Sequence, residues 1–230
     1  MKNLVFLTGA GISAESGIKT FRDADGLWEG HDIMEVASFE GFEKNPALVL
    51  DFYNKRRKQL LEVYPNKAHE IIADLEKDFN VTVITQNVDD LHERAGTEKI
   101  IHLHGELLKA RSVVNERLVY DWKTDILEGT TNDKSHQLRP HIVWFGEAVP
   151  EIENAVKVIE KADIIAIVGT SLQVYPAAGL IDYADKAQHF FYIDLNPAET
   201  SYFRKKIKVI PKKASEGMME LQELLEELNY

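Results

Sequence analysis

A short apolar run, Leu4-Val5-Phe6-Leu7-Thr8, passes without a break into Gly9-Ala10-Gly11-Ile12-Ser13-Ala14-Glu15-Ser16-Gly17. In Gly9-x-Gly11-x-x-Ala14 the first glycine permits a tight turn and the second lets a backbone approach a pyrophosphate. The small third residue lets a helix lie against the strand. The pattern predicts a buried strand, a phosphate-cradling turn and a helix whose N-terminus offers free N–H groups to an anion. An ordinary glycine turn is the plainer alternative, and the strand leading into it favours dinucleotide binding. A redox dinucleotide fold carries an acidic residue about 20 residues further on, after a second strand. The window Phe21-Arg22-Asp23-Ala24-Asp25-Gly26-Leu27-Trp28 has no strand before it, which argues against a dehydrogenase.

Further short runs rich in branched residues occur at 81–84, 100–103, 164–168 and 190–195, as expected of strands buried on both faces. Helical spacing separates several of them. Residues 66–78 place Ala68, Ile71, Ile72 and Leu75 on one face, and residues 151–161 place Ile152, Ala155, Val156 and Ile159 on another. The C-terminal stretch repeats the spacing at Met218, Leu221, Leu224, Leu225 and Leu228. Alternating strands and helices predict an α/β fold with a Rossmann-like parallel sheet. Residues 31–65 look helical and charged, and 106–148 look irregular. Both read as insertions that build a smaller domain, leaving 1–30, 66–105 and 149–230 as the sheet domain. A cleft between the two is the expected ligand site.

The 230 residues carry 27 Lys and Arg against 38 Asp and Glu, a net charge of −11, which disfavours a nucleic-acid partner. There is no cysteine, so disulfides, a thiolate nucleophile and a cysteine-built metal site are excluded. No apolar run approaches the length of a membrane span, and the run at 4–7 is shorter than the roughly 7–15 residues of a signal-peptide core. A soluble, cytoplasmic protein is expected, with no membrane partner.

Polar residues at strand ends are the catalytic candidates. Asn87 and Asp89 follow the run at 81–84, where they face a ligand crevice or merely cap a turn. His104 follows the run at 100–103 and suits a general base. His102, two residues earlier, makes a metal pair a second possibility. Tyr53 and Arg56 stand three apart on one helix face over 47–64, among Lys55, Arg57 and Lys58, and by themselves read first as a solvated basic face. His136, Asp121, Asp125 and Asp133 offer metal donors without a zinc spacing, so no metal is expected.

Taken together, the motifs resemble the sirtuins, NAD-dependent protein-lysine deacylases. The matching segments are Gly9 to Ile18, Phe21-Arg22, Thr85-Gln86-Asn87-Val88-Asp89-x-Leu91-His92, Leu103-His104-Gly105, Val143-Trp144-Phe145-Gly146-Glu147 and Gly169-Thr170-Ser171, in the family's order. The resemblance implies NAD as cofactor and acylated lysine as substrate, with a Rossmann-like large domain and a small domain made from two insertions. It implies His104 as the base acting on a ribose hydroxyl after the acyl oxygen displaces nicotinamide, so that the acyl group leaves as O-acyl-ADP-ribose. It places Gln86 and Asn87 on the ribose side, makes Asn87 part of the catalytic set, and gives Asp89 the nicotinamide carboxamide. Gly9, Ala10, Gly11, Ser13, Glu15, Trp28, Val88, Gly169, Thr170 and Ser171 join the cofactor site, with Phe21 and Arg22 in a covering loop. Asp194 stands where the family commonly has Asn, followed by Leu195 and Asn196, and Ala214 supplies a late backbone contact.

The Tyr53-x-x-Arg56 pattern is similar to the branch that removes succinyl, malonyl and glutaryl groups. Guanidinium pairs well with the carboxylate that ends such chains. Val143, Trp144, Phe145, Gly146 and Glu147 are implied to lie along the substrate backbone, which binds as an added strand. The family normally holds a structural zinc with four cysteines after His104-Gly105. Here Ser112 and Asn115 stand near the first pair's place, so the small domain is expected to be held by its own packing around Val119, Tyr120, Trp122 and Ile126. Two other readings remain open from sequence: a mono-ADP-ribosyltransferase and a non-catalytic NAD-binding module. Oligomeric state is not legible.

Overall fold

The computed structural model describes residues 1–19, 27, 28, 30–200 and 205–228, with backbone only at 27 and 28. Strands β1 (Asn3–Thr8), β4 (Asn80–Thr85), β5 (Ile100–His102), β9 (Ile164–Val168), β10 (His189–Ile193) and β11 (Ile207–Ile210) form one sheet in the order β11-β10-β9-β1-β4-β5. Every pairing in it is parallel. A two-residue antiparallel pair, β2 (Leu27–Trp28) and β3 (His31–Asp32), stands apart. The helices are α1 (Ile33–Val36), α2 (Phe39–Lys44), α3 (Pro46–Glu62), α4 (Lys67–Asp74), α5 (Leu91–Ala95), α6 (Ile152–Ile159) and α7 (Ala214–Leu228).

Side-chain alternation sorts the sheet into two cores, because successive residues of a strand face opposite sides. Leu4, Phe6, Val81, Val83, Ile164 and Ala166 pack with Ile71 and Ile72 of α4 and Met218 and Leu221 of α7. Val5, Leu7, Ile165, Ile167 and Tyr192 pack with Ala155 and Ile159 of α6 and with a 3-10 segment, Ala177–Tyr183. Burial on both faces is why these strands read as continuous apolar runs.

Two expectations are corrected, and one strand was not foreseen. The glycine-rich turn leads not into an α-helix but into two 3-10 turns, Ala10–Ile12 and Ala14–Ser16, the second ending at Gly17 with φ +95°. Ser13 is tied to neighbouring loops through its hydroxyl, and the left-handed Gly17 stops propagation. Residues 106–148, read as irregular, hold a three-stranded antiparallel sheet in the order β7-β6-β8, where β6 is Gly105–Ser112, β7 is Val119–Asp121 and β8 is Leu138–Ile142. Glu106, Lys109, Arg111, Arg139 and Pro140 hide the strand pattern, and the register shifts between Glu106 and Ala110. The edge strand β11 was not anticipated, because exposed Lys208 interrupts a four-residue run.

A third core joins Val49, Leu50, Tyr53 and Leu60 of α3 to Leu107, Ala110, Ile126, Leu138 and Trp144. The turn after β6 is closed by side chains. The Ser112 hydroxyl accepts the N–H groups of Val114 and Asn115, each at 3.1 Å, and lies 3.1 Å from His136 Nδ1. Asn115 in turn accepts the Arg117 N–H. Hydroxyl and amide groups that satisfy one another in this way do not fit a structural zinc, which favours Cys and His.

A buried histidine pair, one ring from α4 and one from α5, sits against the end of β1. His69 Nδ1 accepts the Asn66 N–H, completing a capping box, and its ring sits 4.9 Å from that of His92. His92 Nε2 meets the Thr8 hydroxyl at 3.1 Å. Both rings are fully buried, and burial lowers the His69 pKa to about 4 and that of His92 well below its ordinary value. An unfolded histidine binds a proton as pH falls through about 6.5 whereas these do not, so stability drops below that pH. Melting at pH 7 and pH 5 should show a loss worth about 2 kcal/mol from His69 alone. A His69→Gln variant that keeps the full slope would contradict this. EDTA should move the melting temperature by less than about 1 °C, since metal-held domains unfold when stripped.

Candidate active site

The site is built where the central parallel strands end, the edge of an open α/β sheet that faces ligands. The Gly9 N–H bonds the Val168 carbonyl at 3.0 Å, and the Gly11 N–H bonds the Gly169 carbonyl at 2.8 Å. The two backbones touch. A Cβ added at Gly11 would stand 2.6 Å from Gly169 Cα, and one at Gly169, whose φ is +64°, would strike the Ile12 amide. Only glycine fits at both positions. Gln86 Nε2 donates to the Thr170 hydroxyl at 2.9 Å, tying β4's loop to β9's.

Behind this turn, Asn87, Ser13 and Asp89 form a buried chain. Asn87 Nδ2 donates to the Gly9 carbonyl at 3.2 Å and to Ser13 Oγ at 3.1 Å. Ser13 Oγ donates to Asp89 Oδ2 at 2.9 Å, and the Leu91 N–H reaches Asp89 Oδ1 at 3.2 Å. Burial pushes the Asp89 carboxyl up to about 6, against the opposing pull of those two hydrogen bonds and the charge of His102.

His102 and His104 separate chemically. His104 Nδ1 lies 3.0 Å from the Gln86 carbonyl, which only accepts, so Nδ1 carries the proton and Nε2 keeps a lone pair. Burial lowers the His104 pKa, with the Gln86 bond opposing, so the ring is a neutral base near pH 7. His102 Nε2 meets Glu93 Oε1 at 2.6 Å. Burial opposes its charge, yet Glu93 and Glu106 outweigh burial and hold its pKa above the ordinary value. The metal pair weighed from sequence is therefore an ion pair here. Among the described residues, the group whose ligand atoms could converge on an ion is Glu93, His102 and Glu106, and not the four residues considered from sequence.

Two cavities meet at Val88 and Asp89. One is lined by Arg56, Gln59, Ile18 and Leu107; the other, of about 400 Å³, by His102, Glu106, Lys109 and Asp121. Arg56 and Asp89 thus share a wall. Arg56 Cζ also sits 4.0 Å from the centre of the Phe52 ring. Tyr53 is fully buried and accepts a hydrogen bond from Trp144 Nε1 at 3.0 Å. Neither it nor Arg56 belongs to a plain solvated face.

The segment 143–147 is irregular apart from an isolated bridge between Phe145 and Ser38. Its amides are largely engaged within the protein. Val143 N–H bonds the His104 carbonyl, Phe145 N–H the Ala37 carbonyl and Glu147 N–H the Trp144 carbonyl, while Trp144 N–H bonds Glu147 Oε2. Gly146 takes φ +87°. Glu15 Oε2 accepts the Ser215 N–H at 2.8 Å, which brings the glycine-rich turn beside Ala214. Asp194 Oδ1 accepts the Asn196 N–H, and Leu195 is exposed. Phe21 and Arg22 lie outside the described residues, as does the Trp28 side chain. Arg111 and Arg139, both buried and both bonded to Glu147, were not singled out from sequence. The sequence carried no signal for them, because the strands that hold them were not legible.

Comparison with known proteins gives one consistent result. The model of the Sir2 family matches residues 9–176. A Helicobacter pylori (strain ATCC 700392 / 26695) protein named NAD-dependent protein deacylase is 58% identical over 228 residues, 99% of each chain. A Bacteroides thetaiotaomicron protein of the same name is 58% identical over 231 residues, 98% of each chain. The structure of a Sir2 homolog–NAD complex is 38% identical, with a TM-score of 0.87 over 99% of this chain and 90% of that one. A Sir2 protein bound to acetylated peptide is 28% identical, with a TM-score of 0.80 over 96% and 92%. The chain belongs to the Sir2 family.

Proposed function

We propose that this protein is an NAD-dependent protein-lysine deacylase that prefers acidic acyl groups, succinyl and malonyl and also glutaryl, over acetyl. The observation that carries the preference is the wall shared by Arg56 and Asp89. Arg56 and Asp89 line the same cavity, and a guanidinium and a carboxyl there suit an acyl carboxylate and a carboxamide respectively. The deacylase activity is supported by relatives of that name that match this chain almost end to end. Residues 31–65 and 106–148 are assigned to a small domain and 1–30, 66–105 and 149–230 to a Rossmann-like NAD-binding domain, a division supported by the third core drawing on both inserted segments.

The residues present fit NAD. The glycine contact at Gly11 and Gly169 leaves a turn with no side chain to obstruct a pyrophosphate, and Asp89 offers an acceptor to an amide. When bound, NAD would supply an electrophilic ribose carbon with nicotinamide as its leaving group, and with one water the overall conversion would give free lysine, nicotinamide and O-acyl-ADP-ribose; Asn87, Asp89 and His104 are the residues that would lie against it. The chain's own residues position and neutralise. His104 takes a proton at Nε2 while Nδ1 stays bonded to Gln86. Asp89 and Asn87 orient the leaving amide's side, and their burial excludes water from it. Arg56 holds the acyl carboxylate and contributes only where one is present.

One peptide in succinyl-lysine and acetyl-lysine forms, incubated with and without NAD and followed by mass, tests this. Faster NAD-dependent loss of succinyl supports it. Faster loss of acetyl removes the preference, and ADP-ribose added to protein with acyl-lysine intact replaces the reaction. Arg56→Met should lower kcat/KM for succinyl by about 100-fold, the scale of two charge-assisted hydrogen bonds, and deacetylation far less. Because burial lowers the His104 pKa and Asp89 ionises near 6, kcat/KM should rise with pH through a midpoint at or below about 6.5. A midpoint above about 7 would contradict the assignment of His104.

A further inference from the structure

The two 3-10 turns that follow Gly9 free one carbonyl from the helical pattern. In an α-helix the Ile12 carbonyl would accept the Ser16 N–H. Here the Ser16 N–H goes to the Ser13 carbonyl, and the Gly17 N–H to that of Ala14. The Ile12 carbonyl is taken instead by Asn66, whose Nδ2 donates to it at 2.7 Å and to Ser16 Oγ at 3.0 Å. Both hydrogens of that amide are therefore engaged by the glycine-rich turn.

The orientation of Asn66 is fixed from its other side. It is the N-cap of α4, and its Oδ1 accepts the Ala68 N–H at 3.0 Å. A backbone N–H only donates and a carbonyl only accepts, so the oxygen must face α4 and the nitrogen the turn. The Asn66 N–H is held by His69 Nδ1 at 3.3 Å. Burial pushes the His69 pKa down to about 4, so near neutral pH Nδ1 has the lone pair that this bond needs. The His69 ring packs against that of His92, and His92 Nε2 meets the hydroxyl of Thr8, the last residue of β1. The path Thr8–His92–His69–Asn66–Ile12 leaves the chain just before Gly9 and returns to it just after Gly11. It brackets the turn whose backbone lies against Gly169.

We propose that Asn66 is a positioning residue for the dinucleotide site. By holding the Ile12 carbonyl and the Ser16 hydroxyl it keeps the glycine-rich turn off a helical course, and so keeps the turn's backbone in place for a pyrophosphate. This rests on the reading of that turn as the NAD site. Asn66 acts on the cofactor only through Ile12 and Ser16.

Asn66→Ser keeps a side-chain cap on α4, which serine supplies as well as asparagine, and removes the amide that reaches the turn. With the full chain and one acyl-lysine peptide, the KM for NAD should rise about 10-fold, the scale of one buried hydrogen bond. The peptide KM, and kcat at saturating NAD, should each stay within about 2-fold, because lost binding that is equal in the ground and transition states changes KM alone. Titration calorimetry with NAD should show the same weakening. A merely structural loss would lower the active fraction, and hence kcat, and leave both KM values in place. Asn66→Asp keeps the shape and the cap but has no N–H to donate, and should weaken NAD binding at least as much. An unchanged NAD KM, or a fall in kcat with both KM values unchanged, overturns the proposal. If Asn66→Ser does not fold, the same outcomes in Asn66→Asp decide. A parent protein that does not bind NAD refutes the reading of the turn itself, a result distinct from any behaviour of the variants.

Discussion

The backbone contact between the Gly9–Gly11 turn and Gly169 is the constraint on which the rest of the site depends. It locks the end of β1 to the end of β9 through two hydrogen bonds, from the amides of Gly9 and Gly11. It also leaves no room for a Cβ on either side. Once those strand ends are fixed, the Gly9 carbonyl has a defined place, and Asn87 reaches it from the end of β4. Ser13 and Asp89 follow along the same hydrogen-bond chain. A parallel sheet has its loops converge at one edge, so three distant segments meet there without a long connection of their own.

Desolvation then gives similar residues different chemistry. His102 and His104 are two apart, yet one is held towards its cation by Glu93 and the other is kept neutral by burial and fixed in one tautomer by the Gln86 carbonyl. Asp89 is raised by burial but retains two donors and a nearby positive charge. Buried polar groups of this kind persist only when hydrogen-bonded, and here nearly every partner comes from another loop of the same edge. Away from that edge, buried ions do a structural job. The paired arginines of the small sheet need Glu147, and Glu147 in turn fixes Trp144.

The sheet strands were legible in the sequence because they are buried on both faces, and an uninterrupted apolar run is what such burial requires. The runs at 81–84 and 164–168 correspond to β4 and β9 within a residue or two. The second sheet was not legible. Its strands carry Arg111, Arg139 and Pro140 in the interior, and their charges are tolerated only because Glu147 arrives from another segment. The short edge strand β11, with Lys208 exposed, left no such run. The helix expected after Gly11 was a motif-based inference. Ser13's bonds to Asn87 and Asp89 and the left-handed Gly17 leave that stretch as 3-10 turns instead.

Sequence alone determined the residue types at each strand end, the glycines that no other residue can replace, and a composition without cysteine. It also carried the order of motifs that marks the family. It left open whether Tyr53 and Arg56 formed a solvated face and whether His102 and His104 bound a metal. Those questions turn on burial and on partners far away in the chain: Trp144 for Tyr53, Asp89's cavity for Arg56, Glu93 for His102 and the Gln86 carbonyl for His104. Hydrogen-bond roles and protonation states are set by which groups meet in a dry place, and only the tertiary structure decides that.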